Sequence, residues 1–151
     1  MKLTRTVMAS MLLLAAGASL PAFAGLGGDA TSVDRDRASL KGTVRVTTTA
    51  TYAVHEISGA SGMLVHEYLG ADGKVFAVSW SGPGVPNLGA MLGGYYAEVQ
   101  QAVSRPHYNH HHLSVVTPQV VLHSSGHLRT FAGRAWAPAL LPQNFAVADI
   151  K

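Results

Sequence analysis

Histidine is the residue of this chain best suited to chemistry, and four of its eight histidines, His107, His110, His111 and His112, crowd into one short stretch, with His123 and His127 following. Imidazole binds zinc, copper or nickel without help from thiolates, so this stretch is a candidate metal site. Two features of the sequence argue against a dedicated one. No carboxylate lies within the cluster to serve as ligand or to orient a ring, and three consecutive histidines after Asn109 offer no turn that would aim them at one point. The spacing therefore favours a solvated polar loop with incidental zinc or copper affinity, and no cofactor is expected.

A second candidate cluster is His55 with His66, each in a Val-His-Glu tripeptide at 54–56 and 65–67. A loop centred between Ala60 and Ser61 places these histidines opposite one another on adjacent strands, where Cβ atoms are about 5 Å apart and two rings can share an ion with one further ligand. Glu56 and Glu67 then point to the other face. Partly buried histidines bonded to neighbours are the plainer reading. Hydrolase motifs are absent: there is no Gly-x-Ser-x-Gly, no His-Glu-x-x-His and no phosphate-cradling glycine loop. Ser79, Ser81, Ser124 and Ser125 are available to a triad assembled from distant residues, but read as turn or strand serines.

The elements that position these residues are legible as runs and breaks. Tyr52 to Ser58, Met63 to Leu69 and Lys74 to Trp80 alternate β-branched and aromatic residues with polar ones, and glycines at 59, 62, 70 and 73 bracket the reversals, which makes an antiparallel meander. A three-residue Ala71-Asp72-Gly73 loop sets Phe76 opposite Tyr68, Val78 opposite His66 and Trp80 opposite Leu64, and is favoured because it gathers the aromatic residues on one face; a two-residue Asp72-Gly73 loop would put those three on the other. Thr43 to Thr51 reads as a strand or strand extension leading into the meander, and Gln119 to Ser124 with His127 to Ala132 as a second hairpin turning at Ser125-Gly126. Residues 29–41 form a short helix with Ser32 as N-cap, whose Asp34, Arg35, Asp36 and Arg37 make a solvated face. Asn87 caps the main helix, where Leu88, Met91, Leu92, Tyr95, Val99 and Val103 recur at three and four residues; its glycines at 89, 93 and 94 allow either close packing or a break near Gly93. Gly25 to Gly28 is a flexible start, residues 104–114 are a loop, and the tail after Ala132 packs across the domain in extended form, since Pro138 and Pro142 exclude a central strand.

Residues 1–24 carry Lys2 and Arg5, then an apolar run from Val7 to Leu20 that is too short to span a bilayer, then Ala22-Phe23-Ala24, the pattern of a secretory signal cleaved after Ala24. The expected mature protein, residues 25–151, is a single domain in the periplasm or outside the cell, without a membrane span. Its net charge falls from +3 to +1 when Lys2 and Arg5 leave, so basicity does not point to nucleic acid. Cysteine is absent, which rules out disulfides and thiolate chemistry.

Leu26-Gly27-Gly28, the Tyr52, Val54, His55 and Glu56 set, the run from Val75 through Trp80 to Pro83, Gly126-His127-Leu128, and Gly133-Arg134-Ala135 with Leu141-Pro142 together resemble an uncharacterised family of bacterial exported proteins, domain of unknown function 2844. The resemblance implies an exported single domain and carries no activity, ligand or catalytic residue; the histidine-rich loop is not part of its pattern.

The expected architecture is α+β, an antiparallel sheet of about five strands against one main helix with a short N-terminal helix. The expected function is non-catalytic binding of an envelope or extracellular partner through a sheet face or edge. Metal binding by the histidine loop is the alternative and a small hydrolase the third reading. Replacing His110, His111 and His112 together by Ala should abolish a weak zinc affinity while leaving the melting temperature unchanged; calorimetric zinc titration of both proteins checks it, and submicromolar binding lost in the mutant would instead establish a dedicated site.

Overall fold

The computed structural model describes residues 25–103 and 112–151. Seven strands, two more than expected, form one antiparallel sheet: β1 (Thr43–Thr48), β2 (Tyr52–Ser58), β3 (Leu64–Gly70), β4 (Val75–Gly82), β5 (His112–Val116), β6 (Val121–His127) and β7 (Thr130–Trp136), in the order β1-β2-β3-β4-β7-β6-β5. Beyond the meander and hairpin, the segment read as a strand or strand extension is a full edge strand, β1, and β5 forms at the end of the expected loop. β5 forms because Leu113 and Val115 alternate onto the core while pairing with Ser124 and Leu122 of β6.

Three helical pieces cover one face of the sheet, here the helix face. α1 (Ala30–Ser39) is capped by Asp29, whose carboxylate accepts from the Thr31 and Ser32 N–H groups, so the expected cap at Ser32 is corrected; Ser32 is instead buried, its hydroxyl donating to the Asp29 carbonyl. The main helix is interrupted, as α2 (Leu88–Leu92), a 3-10 turn at Gly93–Tyr95 and α3 (Tyr96–Val103). Gly93 has φ of 52°, a left-handed conformation that glycine adopts without a Cβ clash, and the break re-aims the apolar stripe so that Met91, Leu92 and Val99 are all buried. Gly25 to Gly28 is no flexible start: Leu26 is in the core, its N–H bonded to the Met91 carbonyl, and Gly27 and Gly28 pair with Val75.

Register departs from expectation at two places, and both matter for the site. The first meander turn is a three-residue loop, Ala60-Ser61-Gly62, closed by Gly59 N–H on the Met63 carbonyl at 2.7 Å with Gly62 at φ of 84°. That extra residue moves His55 opposite Glu67 and His66 opposite Glu56, so the two histidines lie on opposite faces. The second turn is the expected Ala71-Asp72-Gly73 loop, but the β3–β4 ladder slips by one residue between Tyr68 and Leu69. Phe76 is the extra residue of a bulge; Ala77 then faces Tyr68, Ser79 faces His66 and Trp80 faces Val65. In the C-terminal hairpin the turn is Leu128-Arg129, both at positive φ, rather than Ser125-Gly126. The later turn gives a seven-pair ladder and buries Ala135 opposite Leu122; Gly126 serves packing instead, since a Cβ there would stand 2.6 Å from the Phe131 ring.

Residues 137–151 cross the open face of the sheet with two short 3-10 turns rather than fully extended. Phe145 packs edge-on against Phe76 and Tyr52, with centroids at 4.8 and 5.1 Å, and Ile150 is buried beside Tyr68. Leu92, fully buried in the opposite core, tests the main helix: Leu92→Asp leaves an unpaired charge against the sheet and should destabilise by roughly 3 to 5 kcal/mol, read by urea unfolding.

Candidate functional site

The register of six strands builds one polar row across the open face. Glu56 pairs with His66, His66 with Ser79, Ser79 with Arg134, Arg134 with His123, and His123 with Ser114. The neighbouring row on one side is apolar, Val54, Tyr68, Ala77, Trp136 and Val121, and the C-terminal segment covers much of it. On the other side Ser81, Ala132, Ser125 and His112 form a row of small and polar residues that nothing in the described chain covers. The polar row and this open row together line a groove of about 460 Å³ over β4, β7, β6 and β5.

Hydrogen bonds fix most of the row. Glu56 Oε2 lies 3.3 Å from His66 Nε2, and His66 Nδ1 lies 3.3 Å from Ser79 Oγ. The Ser79 hydroxyl donates to the Lys151 main-chain oxygen, Arg134 Nη1 donates to the Ile150 carbonyl at 3.3 Å, and Tyr68 Oη accepts from the Lys151 N–H at 2.9 Å. The Arg134 guanidinium also stands 5.9 Å from the Trp136 ring centroid, and His123 Nδ1 lies 3.1 Å from Ser114 Oγ. The end of the chain is thus held on the polar row by three side chains from β3, β4 and β7.

Glu56, His66 and Ser79 align like the members of a hydrolase triad, but Ser79 is 2 % exposed beneath Lys151, to whose main-chain oxygen its hydroxyl donates. Sequence reasoning missed the row because its members are distant in sequence and join only through the bulge at Phe76 and the Leu128-Arg129 turn.

The candidate metal residues separate. His107, His110 and His111 lie outside the described residues. His112 is exposed at the rim of the groove, a diagonal neighbour of His123; His66 is on the same face, and His55 on the other, half-buried, its pKa held below the ordinary value by burial against the opposing charge of Asp34. Among the described residues no group of three or more histidine or acidic side chains is placed to hold a metal ion.

The helix face holds a second unusual feature. Glu67, which the expected register left without a burial assignment, is 1 % exposed, and no donor from the rest of the protein reaches either carboxyl oxygen. Its interacting neighbour is Asp36 of α1, 7 % exposed and expected from sequence to be solvated. Burial pushes the Glu67 carboxyl up to about 9, with the hydrogen bond and charge of Asp36 adding to the shift, and burial raises Asp36 as well. The folded state therefore keeps a proton that the unfolded chain has lost above its ordinary value of 4.5, so this contribution to stability falls as pH rises from there towards 9. Between pH 7 and 9 the protein should lose several degrees of melting temperature, and Glu67→Gln, an uncharged isostere, should flatten that slope and be the more stable protein at pH 8.5; thermal melts across this range check it.

No curated protein and no solved structure matches the chain. One family profile does, over residues 22–150, so that the described sheet, its helices and the segment crossing the open face all fall within the match except for Lys151. The chain belongs to the family described as Protein of unknown function (DUF2844).

Proposed function

We propose that this protein is a non-catalytic binding module of the cell envelope or exterior, and that its open sheet face receives a carboxylate-bearing segment of a partner protein. The observation that carries the reading is the charge of the groove: Arg134, Lys151, His112 and His123 line it, with serines between them and no acidic side chain among the described lining residues. Guanidinium binds carboxylate in a planar, directional way, and the stacking of Arg134 near Trp136 limits the conformational freedom lost on binding. Export, which this reading includes, rests on the character of residues 1–24.

A second reading, transition-metal binding, draws support from the placement of His112 beside His123 at the rim where the histidine-rich stretch enters the sheet. Ser114 Oγ occupies His123 Nδ1, and in the tautomer with the proton on Nδ1 the Nε2 atom is the one free to ligate.

The two are separated by titrating an isotopically labelled protein with a glutamate-rich peptide in the presence of a chelator. Binding should perturb amide signals of β5, β6 and β7, weaken with salt, and drop about tenfold in Arg134→Ala, as expected for loss of one charge-assisted hydrogen bond. A peptide that leaves those signals unmoved, or binds Arg134→Ala equally well, rules the reading out.

A further inference from the structure

On the helix face, between α1 and residues 83–91, an apolar pocket of about 180 Å³ has Met63, Val65, Pro86 and Met91 in its wall and a single charged side chain, Asp36. Asp36 is more than nine-tenths buried, and behind it stands Glu67, whose two buried oxygens meet no donor from the rest of the protein. Buried carboxyls without donors are rare, because desolvating them costs free energy that nothing returns. Two such carboxyls in contact cannot both ionise without strong repulsion, so they share a proton, and Asp36 is the member of the pair that lines the pocket wall. The cation whose charge reaches it is Arg35, the preceding residue of α1, which is exposed and not part of that wall; the described lining holds no basic side chain.

We propose that this pocket binds a small primary alkylammonium, with its charged head on the Asp36 carboxylate and its alkyl chain against Met63, Val65 and Met91. An ammonium supplies three N–H donors and a positive charge to a lining whose one charged side chain is the Asp36 carboxyl, and the attraction is stronger in an apolar wall than in water. The volume is that of about six waters at about 30 Å³ each, which matches six non-hydrogen atoms, a five-carbon amine. The charge decides against a carboxylate ligand, and the apolar lining against a sugar or a free metal ion. The pocket is on the opposite side of the sheet from the groove, so the two assignments stand or fall separately.

Calorimetric titration of the full chain at pH 7.5 with n-pentylammonium chloride, 1-pentanol and sodium pentanoate tests it. The ammonium should bind at least tenfold more tightly than the alcohol, and pentanoate should give no binding. Asp36→Asn should reduce the ammonium to the affinity of the alcohol. Ala90→Leu, which fills the pocket from α2 while leaving Asp36 in place, should weaken both at least tenfold. Equal affinity for ammonium and alcohol, a preference that survives Asp36→Asn, or no saturable ammonium binding overturns the assignment. If Asp36→Asn does not fold, the comparison of the three ligands on the wild-type chain decides alone.

Discussion

Phe76 and Ala77 crowd onto one side of β4 opposite the single residue Tyr68, and this slip sets the facing of every residue that follows in the strand. Without it, the register of the Ala71-Asp72-Gly73 turn would carry Val78 and Trp80 to the open face and Ser79 and Ser81 into the helix-side core. With it, Val78 and Trp80 are buried under the helices, and the serines join His66, Arg134 and His123 on the open face. Phe76 stays on the side of Tyr68 that the turn assigns it, 6.1 Å away, and the bulge adds Ala77 to the same side. Because side chains alternate with a period of two, one inserted residue reverses a whole face rather than disturbing one contact.

The open face is divided by the same logic. Its apolar row cannot remain in water at full cost, and the segment after β7 covers it with Leu140, Leu141, Phe145, Val147 and Ile150. Where that segment ends, beside the polar row, its backbone donates to Tyr68 Oη and accepts from Ser79 and Arg134. Beyond it the groove over β5, β6 and β7 keeps its histidines and serines exposed to solvent. The two runs of consecutive strands, β1 to β4 and β5 to β7, meet at the β4–β7 seam, and the C-terminal segment crosses that seam over the apolar row.

Glu67 and Asp36 work against the fold rather than for it. An apolar pair in their place would pack without desolvation cost, whereas two carboxyls beneath α1 must share a proton to be tolerated at all. Their position beside an open apolar pocket gives them an outlet, because a cation entering there compensates the charge that the interior cannot. The strain is placed where α1, through Asp36, and β3, through Glu67, meet.

Local patterns determined much of the architecture. The α+β class, the three strands of the meander, the Ala71-Asp72-Gly73 turn, the Asn87 cap and the stripe through Leu92 and Val99 were all readable, because propensity, turn glycines and periodicity act over a few residues. The edge strand β5 was not, since its five residues follow a histidine run and become a strand only by pairing with β6. Nor was the facing of His55, His66, Glu56 and Glu67, which depends on whether the first turn holds two, three or four residues, alternatives that Gly59-Ala-Ser-Gly62 permits equally. Asp36 looked solvated because its neighbours on α1 are charged, and only packing of that helix over Glu67 shows it buried. The sequence thus determined which residues were available for chemistry, while the register of seven strands and the docking of α1 decided which of them meet, because alternation turns a one-residue shift into a change of face.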